Sequence, residues 1–228
     1  MNPAKIRLKL KRRRARRDRQ KRLYEKTGRR GHKKAARVHQ RAVKKLRTLL
    51  DRLTTVQPVS NNGIRFIAEF EGFYSKPYND PVGFATVGYG HLIRYGPVKA
   101  SDHTSVWLKG QRTPGRLTEA EARKLLKERV AADYSPPVRA LFTDGPLKGK
   151  FHQGALDALV SFAFNLGPAS VQGVPGFETI GRAIESGSLA QIAQALPLYD
   201  KAGGQALAGL TRRRKAEAHL LLTGMYHY

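Results

Sequence analysis

The sequence predicts an α+β domain of two lobes, preceded by a basic N-terminal region. Short β-prone pieces between residues 74 and 95, divided by Pro and Gly, are followed by several segments of helical periodicity, an order typical of the α+β class with a cleft between lobes. Residues 1–57 hold 23 Lys and Arg against three acids, a net charge of +20, whereas residues 58–228 hold 20 against 14, a net of +6. Because most apolar residues, Gly and Pro also lie beyond residue 57, only that part has the composition of a globular core.

The first 30 residues are dominated by Arg and Lys, and their few apolar residues are too sparse to build a core, so we expect a solvated polycation there. Helical periodicity begins at Lys33, with an apolar stripe at spacings of three and four that consists of Ala42, Leu46, Leu49, Leu53 and Val56. This stripe could pack on the domain, on a second chain or on a membrane surface. It is shorter than a coiled coil requires, and we expect a monomer.

The N-terminal charge predicts a polyanionic partner for residues 1–57. Nucleic acid backbones, acidic lipids and anionic wall polymers all attract Lys and Arg. Tyr24 is the only aromatic residue before Phe66, and no zinc-finger or helix-turn-helix pattern accompanies the charge, which disfavours nucleic acid. We therefore expect residues 1–57 to bind an anionic wall polymer or a membrane surface.

Several classes of protein are excluded by composition. No apolar run approaches the roughly 18 residues of a membrane span, and no apolar segment follows the basic start, so we expect neither a transmembrane segment nor a signal peptide. The chain has no Cys, which excludes disulfides, thiolate metal sites and a Cys nucleophile. Its seven His are scattered without an HxxxH or HExxH pair, and we expect no metal and no other cofactor.

Each element beyond residue 57 has its own signal. Residues 58–63 are uncharged turn formers and indicate a linker before a domain over 64–228. A predicted helix over 64–72 places Glu71 at its C-terminal edge, with Gly72 as its stop, and Thr118 with Glu121 forms a capping box before the next helix. Further helices are predicted over 151–166, 178–186, 189–196 and 210–223.

Three polar residues stand out around the sheet-forming stretch: Glu71, Asp80 and Thr86. A carboxylate at a helix end, a second on the following turn and a hydroxyl on the next strand can converge on one wall of a cleft. Hydrolysis of a sugar acetal needs such a set, because one carboxyl protonates the departing oxygen while another group handles water or the developing positive charge.

The residues around this triplet resemble the phage-type lysozymes of glycoside hydrolase family 24, the group of the T4 and lambdoid phage endolysins. The chain keeps every spacing of that family's signature, with Phe70-Glu71-Gly72, Tyr78, Asp80, Gly83, Thr86 and Gly88-Tyr89-Gly90-His91. The resemblance continues through 117–126, 155–167 and 209–217 and covers nearly all of 63–224. It implies a lysozyme-like fold with a small antiparallel β lobe and a helical lobe.

The resemblance also implies a role for each member of the triplet. Glu71 would be the proton donor, a task that requires a protonated carboxyl. Asp80 would orient or activate water on the opposite face of the sugar and stabilise the oxocarbenium-like transition state, and Thr86 would help to hold that water. A carboxyl separation of about 6.5–9.5 Å would predict inversion at the anomeric carbon, whereas about 5 Å would predict retention.

Two further residues are expected to support the site. Arg213 matches the arginine that pairs with the acid in the family, although a one-residue slip along the Arg run or a solvated basic face would also fit. His91 is expected to be a buried structural residue. Its acidic partner in some relatives falls near Arg129 here, where Glu128 or Asp133 could substitute.

Candidate sugar contacts lie outside the signature. Gln153, Asp157 and Asn165 belong to the predicted helix over 151–166, and capping or core hydrogen bonding would explain Asn165 nearly as well. Trp107 lies in the segment 96–115, which is longer than the corresponding loop in short relatives. It could stack on a sugar or anchor the loop.

These observations predict a peptidoglycan hydrolase that cleaves the β-1,4 bond between N-acetylmuramic acid and N-acetylglucosamine. We expect a bacteriolytic phage endolysin, made in the host cytoplasm and released to the wall by a separate membrane pore. Three alternatives stay open: a virion-associated structural lysozyme anchored by its basic N-terminus, a nucleic-acid-binding tail on a lysozyme-like domain, and a binder that keeps the fold without turnover.

Overall fold

The computed structural model describes residues 3–80, 82–108 and 111–227, with side chains for all of these except 3, 4, 51–54, 107, 108, 111 and 112. The chain divides into two compact units, Met1–Val56 and Gln57–Tyr228. Among the helices of the described ranges, none combines the length and apolar character that crossing a bilayer requires.

The first unit is a pair of helices joined at Gly28, whose φ of 64° suits glycine. Helix α1 spans Pro3–Thr27 and helix α2 spans Arg30–Thr54, and the two pack against each other. Ile6 and Leu10, four residues apart on one face of α1, are buried. The expectation that the apolar residues of the first 30 are too sparse to be buried is therefore wrong, because α2 packs against α1, while most Lys and Arg of α1 are exposed.

The seam between α1 and α2 differs from the predicted stripe. α2 buries Ala36 and Val43, while Leu46 and Leu49 of the predicted stripe are only half-buried. Towards the turn the contacts become polar, as Arg17 Nη1 donates to Gln40 Oε1 at 3.0 Å. Pairing with α1 decides which face of α2 is covered, and the periodicity of α2 alone could not show that.

The second unit contains a small antiparallel sheet, two short hairpins and a set of helices. Its strands are β1 Tyr74–Asn79, β2 Ala85–Gly88, β3 His91–Arg94, β4 Ser105–Leu108, β5 Gln111–Pro114, β6 Lys201–Ala202 and β7 Gln205–Ala206. Its helices are α3 Asn61–Glu71, α4 Glu119–Arg129, α5 Ser135–Thr143, α6 Gln153–Leu166, α7 Glu178–Glu185, α8 Leu189–Ala195 and α9 Ala208–Thr223. A π-helical turn over Val130–Tyr134 joins α4 to α5, and the main sheet has the order β1-β2-β3. The predicted α+β class is confirmed.

The core is organised around α6. Every residue from Gly154 to Ala163 is buried, as its nearly continuous apolar sequence predicts, and α9 packs along it. A Cβ at Gly154 would lie 2.6 Å from the Cα of Gly224, so glycine is what allows the end of α9 to approach α6. This pair of helices carries several residues of the candidate active site.

Helix α3 begins at Asn61, inside the segment predicted to be a linker. Ser60 caps the helix, because its hydroxyl accepts the Gly63 N–H at 2.9 Å. Ser60 itself donates to the buried carboxylate of Asp157, from its backbone N–H at 3.0 Å and its hydroxyl at 2.5 Å. The residues before the helix are thus fixed to α6, and the position of Glu71 follows from that anchor.

The segment 96–115 is more structured than a loop. A 3-10 turn over Ala100–His103 precedes the hairpin of β4 and β5. The Asp102 carboxylate accepts hydrogen bonds from Arg94 Nη1 at 2.8 Å and from Arg94 Nη2 at 2.6 Å. These two bonds tie the turn to β3. Trp107 lies on β4 opposite Arg112, but its side chain falls outside the described residues.

Candidate active site

Glu71 is the last residue of α3. Gly72 follows with a φ of 71°, which ends the helix and turns the chain into β1. The Glu71 side chain keeps 22% of its surface exposed, and Arg213 Nη1 donates to its Oε1 at 2.6 Å. The Arg213 side chain, from α9, is only 3% exposed. One carboxylate oxygen of Glu71 is thus held by a buried cation.

Arg213 belongs to a buried cluster of charges. Glu217 Oε1 lies 3.1 Å from Arg213 Nε and accepts the Ser161 hydroxyl at 2.6 Å. Glu217 Oε2 lies 3.0 Å from Arg214 Nε, and Arg214 Nη2 donates to Asn165 Oδ1 at 2.9 Å. Burial raises the pKa of Glu217, while the two guanidinium groups oppose the rise, and burial lowers the pKa of Arg214. Through Ser161 and Asn165, the cluster joins the C-terminal half of α6 to α9.

Asp80 lies on the turn after β1. Its Oδ1 accepts the backbone N–H groups of Val82 at 3.0 Å and of Phe84 at 2.8 Å, which fixes the carboxylate in an Asx turn. Thr86, on β2, is buried and donates its hydroxyl to the Phe84 carbonyl at 3.1 Å. The hydroxyl oxygen keeps its lone pairs for a further donor such as water. Asp80 and Thr86 are therefore both oriented by Phe84.

Tyr78 lies near both carboxylates. It is paired across the strands with Thr86, and residues paired in this way point to the same face of a sheet. Burial raises the pKa of the Tyr78 hydroxyl most, and the nearby Tyr74, Glu71 and Asp80 raise it further. The catalytic roles of Glu71, Asp80 and Thr86 stay predictions.

The part of the chain that contains these residues is similar to known proteins. The model of the phage lysozyme family matches residues 68–217. The chain belongs to the phage lysozyme family. An endolysin of Lactococcus phage c2 is 36% identical over 165 residues, which are 71% of this chain and 59% of that protein. The chain therefore spans less than two thirds of the length of this relative.

Solved structures of phage lysozyme type share the fold. An endolysin of Escherichia coli O157:H7 phage FAHEc1 has a TM-score of 0.55 and 26% identity, and covers 75% of this chain and 98% of its own. The muramidase domain of SpmX from Asticaccaulis excentricus has a TM-score of 0.53 and 28% identity, and covers 72% and 97%. The lysozyme-like fold implied by the resemblance is thereby confirmed.

His91 is half-buried, so the expectation that it is a buried residue is wrong. It lines a surface pocket with Glu128, Arg129 and Asp133, the residues among which its acidic partner was expected. Arg129 Nη1 donates to the Gly90 carbonyl at 2.8 Å. Arg129 thus holds the backbone just before His91, and the supporting role of His91 stays a prediction.

The candidate sugar contacts have different surroundings. The expectation for Asp157 is wrong, because its carboxylate is fully buried and takes hydrogen bonds from protein groups. The Gln153 amide donates to the Pro58 carbonyl and to Asp157, both at 3.0 Å, and Asn165 is half-buried with Oδ1 held by Arg214. Sugar binding by Gln153, Asn165 and Trp107 stays a prediction, and the Trp107 side chain lies outside the described residues.

Sequence reasoning missed Tyr78, Ser161 and Glu217 as members of the site. Glu217 had a local signal, since Arg213 and Glu217 stand four apart on a predicted helix, where opposite charges meet. Tyr78 had its place in the family signature. Ser161 had none, because it lies within an apolar helix far from α9 in sequence. In the described ranges, no three His, Asp or Glu side chains converge as metal ligands.

Proposed function

We propose that the chain is a peptidoglycan hydrolase that cleaves the β-1,4 bond between N-acetylmuramic acid and N-acetylglucosamine, and that it serves as a phage endolysin in host lysis. The observation that carries this proposal is the joint setting of Glu71 and Asp80. One carboxylate is held by a buried Arg, the other is held by two backbone N–H groups, and Tyr78 lies near both. The endolysins and the muramidase domain to which the chain is similar support the same chemistry.

Glu71 delivers a proton to the departing glycosidic oxygen. Arg213 binds Oε1, so Oε2 is the oxygen that carries the proton towards the sugar. Asp80 stabilises the positive charge that develops on the sugar ring and directs a water molecule, and Thr86 accepts a hydrogen bond from that water. Asp80 is suited to this because its Oδ1 is fixed by two backbone donors.

Release of reducing ends from purified bacterial wall tests the reaction. Loss of a general acid typically lowers the rate by about 10²–10⁴-fold, so Glu71→Gln should lower it by at least about 100-fold. Glu69→Gln is the matched control, because Glu69 is an exposed carboxylate on the same helix. Reduction and hydrolysis of the products should identify N-acetylmuramic acid at the new reducing end. Full activity of Glu71→Gln, or new reducing ends of N-acetylglucosamine, would contradict the proposal.

The first unit concentrates the enzyme on an anionic wall polymer or a membrane surface, and the protein works as a monomer. Exposed cations of α1 supply the attraction: Lys9, Lys11, Arg12, Arg14, Arg16 and Arg19. Net charge on this unit is far larger than on the rest of the chain, which is the reason to assign it the binding role. The wall itself is the site of action of the proposed endolysin.

Replacing these six cations by Gln in the full chain tests the surface. Binding to purified wall should weaken, and it should depend less steeply on salt between about 50 and about 300 mM NaCl, because fewer exposed charges remain to be screened. The partners are distinguished by measuring binding to walls stripped of anionic polymer, to vesicles that contain acidic lipid and to duplex DNA. A preference for DNA over walls and vesicles, or unchanged wall binding by the variant, would overturn this part. Size-exclusion chromatography with light scattering measures the mass of the protein in solution, which should be the 25.4 kDa of one chain.

A further inference from the structure

We infer that Glu217 is a positioning residue for the proton donor Glu71, and that it acts through Arg213. This inference rests on the proposed function, since it concerns how the proposed acid is held. Glu217 lies on α9, one helical turn after Arg213, and its side chain is fully buried. It has no contact with Glu71 itself among the described interactions.

The contacts of Arg213 show why Glu217 decides its orientation. Each of the three nitrogens of the guanidinium has at least one acceptor, and Nη2 has a second one in the Ser161 hydroxyl at 3.3 Å. Nε faces Glu217 Oε1 at 3.1 Å, Nη2 donates to the Ser161 carbonyl at 3.1 Å, and Nη1 donates to Glu71 Oε1 at 2.6 Å. Because a guanidinium is planar and rigid, fixing Nε and Nη2 fixes the direction of Nη1. The direction of Nη1 in turn sets which oxygen of Glu71 is occupied and which can carry the proton.

Glu217 is itself held from two sides. The Ser161 hydroxyl donates to Oε1 at 2.6 Å, and Arg214 Nε lies 3.0 Å from Oε2. Arg214 also stacks on the Phe162 ring, with its guanidinium carbon 4.8 Å from the ring centroid, and is fully buried. A carboxylate in such a place cannot change rotamer freely, and it transfers the rigidity of the α6–α9 core to Arg213.

The charges around Glu217 explain why Arg213 Nε is directed at it. Arg213 and Arg214 of α9 both lie within salt-bridge distance of Glu217, at 3.1 and 3.0 Å. The described contact of α6 with this carboxylate comes from the uncharged Ser161. Glu217 is therefore the carboxylate that both buried cations share, and its substitution leaves Arg213 Nε without its charged acceptor.

A role limited to stability would predict something different. An unpaired buried guanidinium destabilises the fold, and a partly unfolded protein loses rate in proportion to its folded fraction. It does not lower the rate constant of the molecules that stay folded. The rate constant of the folded protein, and its coupling to substitution of Arg213, are therefore the measurements that separate positioning from stability.

The experiment compares full-length Glu217→Gln with the parent on dye-labelled soluble peptidoglycan, after urea unfolding has measured the folded fraction. We expect kcat to fall by tenfold or more with KM changed less than threefold. Glu185→Gln, which changes an exposed carboxylate in the same unit, is the matched control and should leave kcat and KM unchanged. Arg213→Lys should lower kcat, and adding Glu217→Gln to it should cost little more, because the path runs through Arg213.

Ser161→Ala keeps the charge of Glu217 and removes the hydroxyl that donates to Glu217 at 2.6 Å and accepts from Arg213 Nη2 at 3.3 Å, so it tests the same path if Glu217→Gln does not fold. It should lower kcat severalfold with KM preserved, and it should cost little more when it is added to Arg213→Lys. Folded Glu217→Gln or Ser161→Ala with parental kcat would overturn the inference while the proposed function stands. A parent chain that releases no reducing ends would overturn both.

Discussion

Gly63 is the position at which the fold should be most sensitive to one added methyl group. It lies in the first turn of α3, and a Cβ there would be 2.5 Å from Asp157 Cγ and 2.8 Å from each carboxylate oxygen. Carbon atoms in contact prefer about 3.5–4.0 Å, so the overlap is about 1 Å. Asp157 cannot withdraw cheaply, because it is fully buried and accepts hydrogen bonds from Ser60, Tyr226 and Gln153.

The expected cost follows from those bonds. A carboxylate displaced by about 1 Å loses both bonds from Ser60, which measure 3.0 and 2.5 Å. Each bond to a charged group contributes about 1.5–3 kcal/mol, so the loss is about 3–6 kcal/mol. Ala in a helix gains about 1 kcal/mol over Gly. Gly63→Ala should therefore lower the free energy of unfolding by about 2–5 kcal/mol.

Urea unfolding of the full chain, followed by near-ultraviolet circular dichroism, measures this. The signal reports the second unit, because Tyr24 is the only aromatic residue before Phe66. Gly209→Ala in α9 is the matched control, since its Cβ would meet no atom within 4 Å, and it should stabilise by about 0.5–1 kcal/mol. In an Asp157→Ala background, Gly63→Ala should no longer destabilise. Equal stability of Gly63→Ala and Gly209→Ala, or the same cost in both backgrounds, would refute the reasoning.

Three further predictions concern a titrating cap, a helix start and the first unit. Burial lowers the pKa of His152, whose Nδ1 caps α6 by accepting the Ala155 N–H at 3.2 Å; folding thus favours the neutral ring, and stability should be full above the unfolded value of about 6.5 and fall as pH drops through the lowered pKa. His152→Asn should flatten the dependence of the melting temperature on pH, whereas His103→Asn at an exposed position should leave it, and a flat parental profile would contradict this. Thr118→Ala should destabilise by about 1 kcal/mol in urea through loss of the α4 cap, and an unchanged midpoint would show the cap to be idle. Val43→Asp buries a charge between α1 and α2 and should remove far-ultraviolet helical signal while near-ultraviolet signal persists; intact helical signal would exclude the packing described.

Local signals predicted the parts of the fold that local chemistry decides. The capping box at Thr118, the apolar run of α6 and the Gly72 stop after Glu71 each specify an element without help from distant residues. The start of α3 was predicted too late, because its cap Ser60 is reinforced by Asp157, 97 residues away. Burial of α1 was missed for a similar reason, since its few apolar residues become a core only against α2.

The candidate site divides in the same way. Glu71, Asp80 and Thr86 fall within one stretch of chain, so their spacing and their neighbours pointed to them. The link between Glu71 and Arg213 joins residues 142 apart, and only the family resemblance pointed to it before the structure. Ser161 could not be anticipated, because a lone hydroxyl in an apolar helix has no signal until the carboxylate it meets is known.

Net charge is informative about binding partners and uninformative about the candidate site, because the two depend on charges that act over different distances. Exposed charges act over about 10 Å before salt screens them, so the cations of the first unit sum into an attraction for any polyanion. The buried groups of the site respond to neighbours at hydrogen-bond distance, where Arg213 and Arg214 are balanced by Glu71 and Glu217. Two cations and two carboxylates leave that cluster neutral when both acids are ionised, within a chain of net charge +26. The surroundings of Glu71 are therefore built by charged side chains of α3 and α9 together with Ser161 of α6, and no count of Lys and Arg along the chain could have predicted them.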